Sequence, residues 1–105
     1  MAKHFYAYLP AILKAFFHED TEQDFAQSEM DYDDLMDSVC IGVDAGELLV
    51  FAEEVDRFLL ANESVSDAQL LNEVFAMGAL SFPYGDVRRG LKEMARIARE
   101  RAAQP

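Results

Sequence analysis

Length, composition and charge describe a small acidic protein and disfavour several classes of function. The 105 residues are 51% hydrophobic and 28% charged, a balance typical of one folded domain rather than of a disordered chain. The formal net charge of −11 disfavours direct binding to nucleic acid, because phosphate contacts require Lys and Arg side chains.

Helical periodicity recurs along the chain, and no segment alternates apolar and polar residues as a strand does. We therefore predict an all-α protein in which residues 1–105 form a single compact bundle of about five to seven short helices. Cys40 is the only cysteine, which excludes an internal disulfide and favours the reducing cytoplasm. Pro10 and Lys14 interrupt the apolar run from Phe5 to Phe17, so we expect neither a signal peptide nor a membrane span.

Three helices are predicted before Gly42. The first runs from Leu9 to Phe17, a short one lies near Glu22–Gln27, and the third begins at Asp31 as N-cap and ends at Gly42. On the third helix the apolar side consists of Tyr32, Leu35, Met36 and Val39. The opposite side carries Asp33, Asp34 and Asp37, with Ile41 among them. This helix is therefore expected to present carboxylates to solvent.

A longer helix is predicted from Asp44 to Ala61. It is opened by Asp44-Ala45-Gly46-Glu47, which has the form of a capping box. Its main apolar stripe consists of Leu48, Phe51, Val55, Phe58 and Leu59. Three further apolar residues lie off this stripe, namely Leu49, Val50 and Leu60. Because apolar residues surround the helix, we predict that it is the most enclosed one.

Two more helices are predicted after Ala61. Ser66-Asp67-Ala68-Gln69 matches the capping box more closely and starts the first of them. After a loop at Ser81–Gly85, Asp86 caps the second, which is expected to fray beyond Arg101. The inward side of this last helix consists of Val87, Leu91, Met94, Ala95 and Ala98. Another side is a basic ridge of Arg88, Lys92, Arg96 and Arg99.

The acidic residues are concentrated in one part of the chain. Residues 15–56 contain fourteen Asp or Glu and no Lys or Arg, whereas the rest has six acids and nine bases. The two parts carry −14 and +3, which sum to −11. Like charges crowded in this way repel one another and favour a cationic partner. Two alternatives stay open: an acidic surface that only confers solubility, and internal pairing with the basic ridge.

No constellation predicts catalysis or a cofactor. Asp20-x-Glu22-x-Asp24 resembles the start of a calcium loop, but Phe25 stands where the turn requires glycine and Asp31 stands where a bidentate Glu belongs. Cys40 has apolar and acidic neighbours, which favour an inert thiol. We therefore expect no catalytic residues, no metal ligands and no cofactor, and we predict that the protein is not an enzyme. A metal-dependent enzyme is kept as an alternative.

The segment Leu9-Pro10-x-Ile12-Leu13-x-Ala15-Phe16-Phe17-His18-Glu19-Asp20 resembles the N-terminal signature of the CdiI-type immunity proteins of bacterial contact-dependent growth inhibition (CDI). The similarity in layout extends over about Phe5 to Ala98 and includes the Pro-x-Gly-Asp loop Phe82–Asp86. It implies a cytoplasmic protein that binds the C-terminal toxin domain of a CDI exoprotein in a 1:1 complex and occludes its basic active site. Such toxins are often nucleases, and an RNase is our first expectation, a DNase the second.

The base-free segment supplies the predicted toxin-facing residues, since carboxylates on a rigid surface can imitate nucleic-acid phosphates. These are Asp31, Asp33, Asp34, Asp37, Asp44 and Glu47, followed by Glu19, Asp20, Glu22 and Asp24. Ile41, Tyr32 and Phe25 are candidate apolar anchors. His18 and Asp20 are expected to form hydrogen bonds that hold the turn after the first helix. The alternative function is an acidic helical adaptor or regulatory subunit that binds a basic protein unrelated to a toxin.

Overall fold

Six α-helices make up most of the chain. The structure, a computed structural model, describes residues 6–104. In that range the helices are α1 (Leu9–Phe16), α2 (Thr21–Ala26), α3 (Tyr32–Gly42), α4 (Ala45–Ala61), α5 (Asp67–Ala76) and α6 (Val87–Ala103), with a 3₁₀ turn at Pro83–Gly85. No strand occurs within these residues, so the prediction of an all-α fold with five to seven helices is confirmed. None of these helices is both long enough and apolar enough to cross a bilayer.

Two complete capping boxes start α3 and α4. The Asp34 amide donates to Asp31 Oδ1 (2.8 Å) and the Asp31 amide to Asp34 Oδ2 (3.2 Å). Asp44 and Glu47 exchange the same bonds at 2.8 and 3.1 Å. The expectation that Ser66 forms the better box is wrong. The Ser66 hydroxyl accepts from the Gln69 amide (3.2 Å), but among the described residues the Gln69 side chain does not accept from the Ser66 amide. Paired carboxylates offer charged acceptors in both directions, which a hydroxyl and an amide do not.

The core forms where α4 lies along α6, with α3 and α5 packed against other sides of α6. The predicted stripe of α4 and the predicted inward side of α6 are buried throughout, which confirms both assignments. Phe17, in the segment after α1, stacks on Phe82 at a centroid distance of 4.7 Å and closes the core near the 3₁₀ turn. The N-terminal ends of α3 and α6 lie near each other, because Tyr32 at the start of α3 packs against Gly90 in the first turn of α6.

One side of α4 remains open to solvent. Seven of its 17 residues are buried, as many as in α6. Leu49, Val50 and Leu60 have exposed fractions of 51%, 41% and 71%, so these three residues do not enclose α4 as predicted. The reason is geometric: α4 rests mainly on α6 through one face, and the described residues do not cover the face opposite.

A buried carboxylate joins α1 to α4. Glu54 has an exposed fraction of 1%, and its Oε1 accepts hydrogen bonds from the amides of Tyr8 (2.9 Å) and Leu9 (3.0 Å). Both amides lie at the start of α1, where backbone donors have no partner within the helix. The negative charge of Glu54 also lies at the positive end of the α1 dipole, which is a stabilising arrangement. This role was not predicted, although the sequence contains a signal for it, since Glu54 interrupts the buried stripe between Phe51 and Phe58.

Two hydroxyl groups hold the turn between α1 and α2. Thr21 Oγ1 accepts from the His18 amide (2.9 Å) and donates to the Phe16 carbonyl (3.3 Å). Ser81 Oγ donates to the His18 carbonyl and accepts from the Glu22 amide (3.3 Å). The expectation that the side chains of His18 and Asp20 hold this turn is therefore wrong. Both side chains are exposed, and buried hydroxyls satisfy the backbone in their place.

Candidate protein-binding surface

Four of the ten predicted toxin-facing residues are fixed by the capping boxes. In each box the two carboxylates lie at the start of a helix and accept backbone N–H bonds, namely Asp31 with Asp34 and Asp44 with Glu47. A carboxylate has about four lone-pair positions, so one capping bond leaves several free to accept from a partner. Three of the four side chains are exposed, whereas Glu47 is half-buried and raises the pKa of the neighbouring Tyr8 phenol. The boxes therefore hold these carboxylates in place and leave lone pairs that can accept further hydrogen bonds.

Four more predicted residues lie on α2 and in the turn before it. Glu19, Asp20 and Glu22 are exposed, and Asp24 is half-buried. Within residues 6–104 none of these four side chains forms a hydrogen bond or an ion pair. They constitute an acidic end of α2 that is free to meet a partner.

The last two predicted residues contact α6. Arg101 forms an ion pair with Asp37 and lies 3.8 Å from Asp33. The hydrogen bond to Asp37 raises the pKa of Arg101 further, so the guanidinium stays charged. The helix does not end at Arg101, because α6 continues to Ala103 and Arg101 is held by Asp37 of α3. The two carboxylates therefore share one cation.

The basic ridge of α6 does not act as one surface. Arg88 donates to the carbonyls of Asn62 (3.1 Å) and Val65 (3.0 Å), where it supports the loop after α4. Arg96 pairs with Glu93 and with Glu100 (2.6 Å) on its own helix, which raises the pKa of Arg96 and lowers that of Glu93. Arg99 pairs with Asp56 of α4, whereas Lys92 is exposed and has no ion pair within residues 6–104. Within residues 6–104 the ridge thus pairs with one acid of the segment 15–56, Asp56, and otherwise with acids of α6 itself.

The part of the acidic segment between Glu19 and Glu47 retains most of its charge. Eleven acids lie between Glu19 and Glu47. Among the described residues, Arg101 is the one Lys or Arg that comes within 4.0 Å of any of them, and it contacts two. Eleven negative charges and one positive charge leave −10 on residues 19–47. Pairing with the basic ridge, the alternative left open by the sequence, is realised at Asp56, which pairs with Arg99. The pairs on α3 come instead from Arg101, which lies outside the ridge.

A groove of about 630 Å³ lies between α3 and the start of α6. Its walls come from the end of α2, the N-terminus of α3, the 3₁₀ turn and the first two turns of α6. The charged lining consists of Asp31, Asp33, Asp34, Asp86, Glu93 and Arg89. The first three were predicted from the sequence as binding residues. Asp86 and Glu93 were not, although their seven-residue spacing places them on one side of α6.

Three aromatic residues, Phe25, Tyr32 and Tyr84, belong to the uncharged part of the groove wall. Phe25 is buried, with 6% exposed, and packs edge-on against Tyr32 at a centroid distance of 4.8 Å. The prediction of Phe25 as a partner anchor is therefore wrong, because its ring holds α2 on α3. Ile41 is 88% exposed but lies outside the groove lining.

The aromatic side chain most accessible from the groove is Tyr84, which is absent from the predicted site residues. It is 70% exposed, and its hydroxyl donates to the Phe25 carbonyl (3.0 Å). Its backbone has φ 58°, in the left-handed region that is uncommon for a residue other than glycine. Pro83 before it and Gly85 after it are the turn-forming signals that could have marked this position.

Gly90 allows Tyr32 to lie directly against α6. A Cβ atom at position 90 would come within 2.2 Å of Tyr32 Oη and within 2.6 Å of Phe82 Cε1. Burial raises the pKa of the Tyr32 phenol above 10.0, and the carboxylate of Asp86 adds to the effect. The hydroxyl therefore stays protonated where it lies against Gly90, and Tyr32 as a residue also lines the groove.

No group of three or more His, Cys, Asp or Glu side chains in residues 6–104 is arranged to hold a metal ion. Cys40 is half-buried on α3. Comparisons of the chain with protein-family models, with curated proteins and with solved structures give no match. The resemblance to CdiI-type proteins therefore stays a prediction.

Proposed function

We propose that this chain is an immunity protein that binds the C-terminal toxin domain of a cognate CDI exoprotein and occludes its basic active site. The complex is 1:1 and cytoplasmic, and the protein acts by binding without catalytic turnover. The toxin domain is a nuclease, with an RNase as the first candidate. The observation that carries the proposal is the charge of −10 that remains between Glu19 and Glu47 after internal pairing.

The carboxylates are suited to imitate phosphates because several are held in place before binding. Capping bonds orient Asp31, Asp34 and Asp44, so less side-chain entropy is lost on association than for freely rotating acids. A nuclease cleft carries Lys and Arg to bind phosphate oxygens, and the same groups can donate hydrogen bonds to these carboxylates. Complementary charge of this kind accelerates encounter and excludes partners of the wrong charge.

The test begins with the toxin domain encoded next to this chain. The two proteins should co-purify at 1:1 stoichiometry, and co-expression should restore the growth that the toxin abolishes. Absence of both binding and rescue contradicts the proposal. Binding to an unrelated basic protein, with no protection from the adjacent toxin, would favour the adaptor function instead.

Charge reversal locates the binding surface. The double variant Glu22→Lys/Asp34→Lys changes one exposed acid on α2 and one on α3. Its matched control, Glu63→Lys/Glu73→Lys, makes the same charge change at exposed acids outside the base-free segment. We expect the first variant to lower affinity at least about tenfold, since like charges placed opposite each other cost several kcal/mol, and to weaken the salt dependence of binding. Equal losses in both variants would rule out this surface.

A further inference from the structure

The groove between α3 and α6 has the size and the charge of a binding site for a side chain from a partner. Its volume of about 630 Å³ lies within the range of pockets that enclose small ligands, roughly 300–1,000 Å³. The lining carries five carboxylates and one guanidinium. Glu93 pairs with Arg96 and Asp33 lies 3.8 Å from Arg101, so Asp31, Asp34 and Asp86 set against Arg89 leave a net charge of −2. Arg89 is the one base of this lining, so the groove favours an incoming cation.

The groove also offers aromatic surface, which distinguishes it from the rest of the acidic segment. Tyr84 stands on one wall with 70% of its surface exposed, and Tyr32 also lines the groove. The side chains of Glu19, Asp20 and Glu22 lie outside this lining and share no such wall. Carboxylates beside aromatic rings match a planar guanidinium, which can donate forked N–H bonds to a carboxylate and stack on a ring at the same time.

We propose that this groove binds an arginine side chain of the protein partner, between the carboxylates at the start of α3 and the exposed ring of Tyr84. The identity of that partner as a basic toxin domain rests on the function proposed above, whereas the preference for arginine rests on the groove alone. Lysine fits less well, because its ammonium group is a compact charge without a planar face.

The walls of the groove are held in place before any partner arrives. The Tyr84 hydroxyl is bonded to the Phe25 carbonyl, so the ring is tethered to the end of α2. The Phe25 ring packs on Tyr32, and Tyr32 rests against Gly90 of α6. The contacts thus connect α2, α3, the 3₁₀ turn and α6 in one series. A preformed site loses less entropy when the arginine binds.

The test uses a capped peptide that carries two arginines separated by glycine, titrated into ¹⁵N-labelled protein and followed by NMR. Chemical shifts should change at residues 31–34, 83–86 and 89–93. The matching peptide with two lysines should bind at least about twofold more weakly. Equal binding of both peptides, or equal shifts at residues 19–24 and 44–47, would show diffuse attraction to acids and overturn the proposal.

Two groove variants and two matched controls sharpen this test. Tyr84→Gly removes the ring and keeps a residue that accepts the φ of 58°, and we expect arginine binding to weaken about two- to fivefold. Phe75→Ala removes an exposed ring on α5 and should leave binding unchanged. Asp34→Asn removes one groove charge but keeps an oxygen to accept the Asp31 amide, whereas Asp20→Asn removes an exposed charge elsewhere. Full arginine binding in both groove variants contradicts the proposal.

The remaining outcomes separate this inference from the proposed function. If the protein binds the arginine peptide in the groove but does not bind the adjacent toxin, the toxin is disproved as the partner and the arginine site is supported. If the toxin complex forms normally but the peptide causes no chemical-shift change at the groove residues, the arginine site is contradicted and the immunity function is not. Shifts at residues 83–93 that depend on protein concentration alone would assign the groove to a second copy of the chain and overturn it as an arginine site.

Discussion

Replacement of Glu54 by alanine should be among the most destabilising single changes in this chain. The carboxylate accepts hydrogen bonds from two backbone amides at the start of α1, those of Tyr8 and Leu9. The Leu9 residue is fully buried, so its amide would keep no partner, whereas Tyr8 is half-buried and water can reach its amide. The variant therefore removes one bond outright and replaces the other by solvent.

The size of the effect follows from these contacts. A hydrogen bond to a charged group contributes roughly 1.5–3 kcal/mol, so two such bonds amount to about 3–6 kcal/mol. Rehydration of the Tyr8 amide and release of a buried charge offset part of that loss. We expect Glu54→Ala to lower the free energy of unfolding by about 3 kcal/mol. For a domain of this size that corresponds to a decrease in Tm of roughly 12 °C or more.

The assay is urea unfolding followed by circular dichroism, together with hydrogen exchange of the α1 amides. Glu53→Ala is the matched control, because the neighbouring Glu53 is exposed and should change stability by no more than about 0.5 kcal/mol. Glu54→Gln, which keeps an acceptor without the charge, should fall between the two. A difference between Glu54→Ala and Glu53→Ala below about 1 kcal/mol, or unchanged exchange in α1, would refute this account of the buried carboxylate.

Three further predictions concern the contacts around the groove and the α1–α2 turn. Gly90→Ala should destabilise by about 1–3 kcal/mol in urea, despite the better helix propensity of alanine, because Tyr32 and Phe82 occupy the space of the new methyl group; a more stable variant would contradict this packing. Tyr32 has a folded-state pKa above the 10.0 of the unfolded chain, so folding stability should be intact below about pH 10 and decrease as the pH rises above it. Urea unfolding at about pH 9 and about pH 11 checks this, and Tyr32→Phe should reduce the decrease. Ser81→Ala should lower the free energy of unfolding by about 1–3 kcal/mol, because the His18 carbonyl and the Glu22 amide both lose their hydrogen bond to the hydroxyl. A decrease below about 0.5 kcal/mol would show that water replaces the hydroxyl.

The helices themselves follow from local sequence. Asp31 and Asp44 mark two helix starts correctly because each cap acts on an amide only three residues further along the chain. The apolar stripes of α4 and α6 are also predicted correctly, since their burial depends on the period of the helix. The prediction fails on the far side of α4, because exposure of Leu49 and Leu60 depends on which neighbours are present to cover them.

The candidate site is only partly predictable. The sequence identifies the acidic segment and names Asp31, Asp33 and Asp34, which line the groove. It does not pair Asp37 with Arg101, because those residues are 64 positions apart. It also leaves Tyr84 unassigned, since an exposed tyrosine after a proline has no binding signature of its own.

The sequence by itself determined that the chain is helical, where its helices begin, and that residues 15–56 carry acids without Lys or Arg. These properties depend on interactions within a few residues or on composition alone. Only the tertiary structure decided how many of those charges are neutralised, that Glu54 is buried beneath α1, and that α3 and α6 enclose a groove. Each of these depends on contacts between residues far apart in the chain, and such contacts are set by the packing of whole helices rather than by any local pattern.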